Sequence, residues 1–212
     1  MAESAGPGVR TRERIARRQV DKFAERRDQL AAAALQTLAE QGYANTSLRD
    51  IAQNSDISHG VLHYYFADKF ELITYCVRQY KAQCVKRYDS IVATASTPDE
   101  LRTGFGAAMA GTLRDDAALH RLWYDLRNQS TFDKAFVPDV TEIDQSIERM
   151  IWRILSRFAE LCGQTPAVTP RLAYALADGV FQHALIAHLA GDAGAADTLE
   201  ADVSLLLPSL LA

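Results

Sequence analysis

The chain is short of the residues that would announce several kinds of protein. It has three cysteines in 212 residues, Cys76, Cys84 and Cys162, too few for a disulfide framework and at no metal-ligand spacing. Cys76 and Cys84 fall eight apart on a predicted helix and read as small buried hydrophobes, with a redox-sensing pair as the alternative. Proline occurs only six times, so long segments run without a breaker. No apolar run reaches the length of a membrane span, and the longest, residues 173–190, is interrupted by Asp178, Gln182 and His183. The first residues are rich in arginine and lack the apolar core of a signal peptide, so the expected location is the cytoplasm, with no membrane partner. There is no phosphate-cradling glycine loop, no nucleophile with its base and no metal-ligand set, so no catalysis, cofactor or metal is expected.

What is present is an ordinary globular composition, 48% hydrophobic and 24% charged, with an uneven charge. Residues 1–27 carry eight Lys or Arg against four Asp or Glu. They are therefore net +4, and with −4 overall the remainder is net −8. A basic arm on an acidic body points to a directed electrostatic partner. Apolar positions recur with a period near 3.6 throughout, which predicts an all-α chain of about nine helices. The expected division is a basic flexible arm at 1–19, a three-helix head at 20–67 and a larger helical body at 68–212. Predicted helices cover residues 20–41, a short segment from Ser47, another from Ser58 to about 66, then 69–92, 98–113, 117–132, 140–162, 170–191 and 196–211.

The stretch "ISHGVLHYYFADKFEL", residues 57–72, carries the functional signal. Two short helices joined by a turn, behind a longer helix, describe a helix-turn-helix unit. At 100° per residue, Val61, Leu62, Tyr65 and Phe66 share one side of the second helix, and His59, Gly60, His63 and Tyr64 share the other. The apolar side packs and the other is free. Glycine costs such a helix about 1 kcal/mol relative to alanine, so something must require Gly60. Close approach to a DNA groove is a physical reason. Ser47 and Ser58 cap helices and offer hydroxyls and N–H groups to phosphates, and Lys69 adds a charge for the backbone. Half a metal site at His59 and His63 is the competing reading, without a third ligand nearby.

These residues, "SLRDIAQNSDISHGVLHYYFADKFEL", resemble the tetracycline-repressor (TetR/AcrR) family over residues 29–72, in the order and spacing of its helix-turn-helix. The resemblance implies a homodimeric transcriptional regulator, a repressor released from a pseudo-palindromic duplex DNA operator by a small-molecule effector. It implies phosphate contacts at Ser47, Ser58 and Lys69, and recognition-helix roles for His59, Gly60, Val61, His63 and Tyr64. Asp56 stands where the family has a turn glycine, Val61 where it has threonine and His63 where it has tyrosine. Asp tolerates left-handed geometry, so the turn is expected to survive. The arginines Arg10, Arg12, Arg14, Arg17 and Arg18 resemble N-terminal extensions that reach a minor groove or backbone.

The body offers an expected small-molecule site where aromatic and polar residues cluster: Phe105, Met109, Trp123, Tyr124, Arg127, Asn128, Trp152, Phe158, Phe181 and His183. The last two helices carry more apolar positions than one buried face requires. Leu172, Leu176, Val180, Leu185, Leu206 and Leu210 are therefore expected at a two-fold dimer interface, as in the family. The alternatives are a helical small-molecule carrier or enzyme with a non-functional head, and a co-regulator that binds protein rather than DNA.

Overall fold

In a computed structural model, residues 7–42 and 46–212 are described, with side chains from Arg18 onward. They form α1 (Pro7–Gln41), α2 (Leu48–Asn54), α3 (His59–Tyr65), α4 (Lys69–Arg87), α5 (Asp89–Thr94), α6 (Pro98–Gln129), a 3-10 turn at Lys134–Phe136, α7 (Val137–Cys162), α8 (Pro170–Leu189) and α9 (Ala195–Ser209). The chain is all-α, as expected. An isolated bridge pairs Pro166 with Leu211.

Two boundaries differ from expectation. Helix α1 begins at Pro7, where the sequence places a flexible arm up to residue 19. Proline at a first helical position lacks only an N–H the helix would leave unpaired. After Gly8 no glycine or proline follows until Gly42, so strong helix formers carry the helix through. Gly42 then stops it at φ 76°. The expected helix over 69–92 is broken after Arg87 into α4 and α5, whereas α6 keeps the expected break, two helices joined across a kink at Asp116, whose carboxylate is paired with Arg87. The side chains of Arg10, Arg12, Arg14 and Arg17 lie outside the described residues; Arg18 is exposed.

The chain divides into two compact units, Met1–Cys76 and Val77–Ala212, so the first turns of α4 belong to the head rather than to the body. The head buries Leu30, Ala34 and Leu38 of α1, Leu48 and Ile51 of α2, Leu62 of α3, Phe66, and Leu72, Ile73 and Cys76 of α4. Arg27 locks this unit: its guanidinium lies 4.6 Å from the Phe66 ring and 4.5 Å from the Tyr75 ring, and pairs with Glu71 at 2.5 Å.

The body is a helical bundle in which α6 packs on α7, α8 and α9. Thr97 and Thr169 cap α6 and α8, each followed by proline at the first turn. Trp123, Leu101, Leu113 and Leu122 of α6 are among its most deeply buried side chains. Helices α6 and α9 approach closely at Gly106, where a Cβ would lie 3.2 Å from the Glu200 carbonyl oxygen. All three cysteines are free thiols, two buried and Cys162 half-buried, and burial raises the pKa of Cys76 and Cys84. Such thiols are poorly reactive. Among the described residues no helix is long and apolar enough to cross a membrane.

Candidate functional site

The head presents one sorted helix. Ser58 caps α3, its Oγ accepting the Val61 N–H at 3.3 Å, which leaves the hydroxyl hydrogen to donate elsewhere. Leu62 and Phe66 are buried, at 0% and 1% exposure, while Val61 and Tyr65 are half-buried. His59, Gly60, His63 and Tyr64 are exposed, and the two histidine rings meet edge to face at 4.4 Å. Around Gly60 nothing lies within 4 Å of an added Cβ, so the head's own packing does not require glycine there. The turn before α3 depends on Asp56, which adopts φ 52° in the place of the expected glycine. Ser55 fixes this turn by donating to the Ala33 carbonyl at 3.2 Å.

Ser47 and Lys69 are more engaged than the sequence suggests. Ser47 and Asp50 form a capping box, with Ser47 N–H donating to Asp50 Oδ2 at 2.8 Å and Asp50 N–H to Ser47 Oγ at 3.2 Å. Hydrogen bonds from Ser47 hold the Asp50 carboxyl below its usual range. Lys69 is half-buried; burial lowers its pKa, opposed by the charge of Asp50.

The body holds a cavity of about 70 Å³ lined by α4, α6, α7 and α8. Phe105, Met109, Trp123, Tyr124 and Phe181 of the expected set are on its wall. Asn128 and His183 are instead exposed, Trp152 is half-buried, and Phe158 is buried away from it. Arg127 stands behind the wall and fixes Asp178, donating to Oδ2 at 2.5 Å while Tyr124 donates to Oδ1 at 2.9 Å. Tyr174 donates to Asp144, which also lies 3.6 Å from Arg127 Nε. Burial, then the neighbouring Asp178, pushes the Tyr124 and Tyr174 hydroxyls above their ordinary pKa.

Sequence reasoning missed the polar pair of this cavity, Lys81 and His120. Lys81 is 5% exposed and donates to His120 Nδ1 at 3.0 Å. Burial lowers the Lys81 pKa to about 8, and burial followed by the Lys81 charge takes His120 well below its ordinary value. The signal was periodicity. Lys81 stands four residues after Val77 and three before Cys84, both buried, so it continues an apolar stripe rather than a solvent face.

Residues 30–76, which include the whole of this turn and both its helices, match the family model of bacterial regulatory proteins, tetR family. This part of the chain is similar to the DNA-binding region of tetR-family regulators. The HTH-type transcriptional repressor KstR2 of Mycolicibacterium smegmatis is 35% identical over 81 residues, 38% of this chain and 40% of that protein. The match thus spans about 40% of that curated relative's own length. A TetR transcription regulator from Haloarcula marismortui shares the fold at TM-score 0.72 and 16% identity, covering 89% of this chain and all of that one. FadR of Bacillus subtilis, solved in complex with stearoyl-CoA, does so at TM-score 0.70 and 19% identity, over 84% and 96% of the two chains.

On the body, α8 leaves an apolar face uncovered. Leu172 and Leu176 are exposed at 48% and 39%, with Ile186 at 62% and Val180 half-buried. Gly179 lies among them, open to space on its Cβ side. Leu185 does not belong to this face: it lies half a turn away beside Phe181 and Ala184, 3% exposed. On α9 and its end, Leu210 is core at 5% and Leu206 is half-buried, whereas Leu205, absent from the expected set, is 73% exposed. In sequence the consecutive Leu205, Leu206 and Leu207 do not show which of them faces outward.

Proposed function

We propose that this chain is a sequence-specific, duplex-DNA-binding transcriptional regulator that acts in the cytoplasm as a homodimer, a repressor released by a small molecule received in the body. The observation that carries the reading is the outward face of α3, where Gly60 is open and flanked by His59, His63 and Tyr64. A helix with a smooth centre and polar rim suits a major groove. Histidine and tyrosine supply donors for phosphates and base edges, and the Ser58 hydroxyl supplies another at the helix start. Arg18 and the arginines before it favour the phosphate backbone without selecting sequence. The exposed face of α8, Leu172, Leu176, Val180 and Ile186, supports pairing with a second copy, which would set two reading helices on a pseudo-palindromic operator.

Release follows from the cavity. Its 70 Å³ is small against the roughly 300–1,000 Å³ of a drug-sized ligand's pocket. An effector therefore binds by widening the cavity, and α4, through Lys81, Cys84 and Val85, is part of the wall that moves. The same helix carries Leu72, Ile73 and Cys76 of the head's core. A relative of the same fold holds an acyl-CoA, an example of a ligand that would demand such widening.

The test is binding of the purified protein to tiled duplexes from its own upstream region. Selective binding to one tile, with a two-fold symmetric footprint, supports the reading. A folded protein that binds every tile equally, or none there and none in a genome-wide pull-down of fragments, refutes it.

A further inference from the structure

Resting on the reading that the body's cavity receives the effector, we propose that the effector is an apolar molecule bearing a carboxylate, received by the Lys81 ammonium and the His120 imidazole N–H. The argument is an account of donors and acceptors. Lys81 and His120 both line the cavity, and the lysine can only donate when charged, so His120 Nδ1 accepts at 3.0 Å. The neutral ring then carries its proton on Nε2, which is buried and has no hydrogen-bond partner. The ammonium keeps two further N–H groups, and among the described residues no carboxylate lies within 4.0 Å of it.

The acceptors on the same wall are taken. Asp178 accepts from Tyr124 and Arg127; Asp144, behind it, accepts from Tyr174 and faces Arg127. Thr112 and Tyr88 bond each other at 3.1 Å. The remaining lining is Phe105, Met109, Trp123, Ile151 and Phe181 with their neighbours, an apolar shell for a hydrocarbon body.

A buried lysine without an ion pair is rare and costly. A carboxylate would supply both the missing negative charge and two oxygens for the open donors. An amine in the same place would meet the Lys81 charge, and an alcohol would satisfy one donor while leaving the charge unpaired. Trp123 and Tyr80 rings near the ammonium, at 5.4 and 5.7 Å to their centroids, orient the lysine without neutralising it.

The experiment titrates the full chain by calorimetry with two matched series: octanoate, octan-1-ol and octylamine, and 4-phenylbutyrate with its alcohol and amine. In at least one series the carboxylate binds about tenfold or more tighter than its alcohol, as a charge-assisted pair is worth about 1.5–3 kcal/mol. Lys81→Met brings the carboxylate to the affinity of its alcohol in the same variant, and a circular dichroism melt shows that the variant is folded. An alcohol or amine that binds as tightly as its carboxylate overturns the proposal, as does a carboxylate preference that survives Lys81→Met. If no member of either series binds, the effector-cavity reading falls and the proposal with it. A ligand-free protein that binds no duplex selectively but keeps the carboxylate preference would instead sink the regulator reading alone.

Discussion

Replacing Gly60 by alanine should make the head more stable and a worse DNA binder. Gly60 is the second residue of α3, and no atom lies within 4 Å of an added Cβ. The methyl therefore meets nothing in the head, and the substitution mainly narrows the unfolded ensemble, a gain of about 0.5–1 kcal/mol. In a chain of this length that raises the melting temperature by about 1–4 °C. Against DNA the same methyl must fit between helix and groove. Overpacking a close contact costs about 1–3 kcal/mol, so operator affinity should fall about 5- to 150-fold. Circular dichroism melts measure the first quantity and fluorescence anisotropy on the selected duplex the second. A stabilised variant with unchanged affinity would refute the claim that α3 lies against the groove. A destabilised one would show that the head itself needs the glycine.

Other outcomes follow from the body. Gly106→Ala places a methyl 3.2 Å from the Glu200 carbonyl and should cost about 1–3 kcal/mol in chemical denaturation. If copies pair through α8 as proposed, the unchanged chain is a dimer by light scattering, and Leu172→Glu with Leu176→Glu, which puts charges on its exposed face, should leave a folded monomer. Lys81 releases its proton near pH 8 when folded but near 10.5 when unfolded. The unfolded state therefore binds more protons between those values, and stability should rise with pH there. Measured as the difference between wild type and Lys81→Met, the gain should appear between pH 8 and 10; a flat difference would contradict the buried, unpaired lysine.

The head was legible because its signals are local. Sorting α3 by 100° steps needs only the helical repeat, and it separates Leu62 and Phe66 from His63 and Tyr64 as burial does. Ser47 and Ser58 announce helix starts through a single hydrogen-bonding side chain each. Asp56 holds its turn at positive φ, which its side-chain chemistry permits. The start of α1 was hidden because a run of arginines reads equally as an arm or as an exposed helix.

The cavity was only half legible. Phe105, Trp123 and Phe181 mark it by size and apolarity, but aromatics also fill ordinary cores, and Phe158 does that here. Lys81 and Asp178 were passed over because charge on a helix usually means solvent. What brings them inside is tertiary: partners on other helices, as Tyr124 and Arg127 are for Asp178. The leucines of α8 show the same limit, since the exposure of Leu176 and the burial of Leu185 depend on phase against neighbours that the sequence does not name.

The central claim, that the His63 and Tyr64 face reads DNA, is tested most directly by anisotropy titrations of a selected duplex and a scrambled one across a salt series. The proteins compared are wild type and the His63→Ala, Tyr64→Ala double variant. Wild type should prefer the selected duplex by about 10³-fold or more. Its affinity should fall with salt, because phosphates are neutralised. The double variant should keep the salt dependence and lose most of the preference, since base contacts specify and phosphate contacts position. A variant that discriminates as well as wild type would contradict the account.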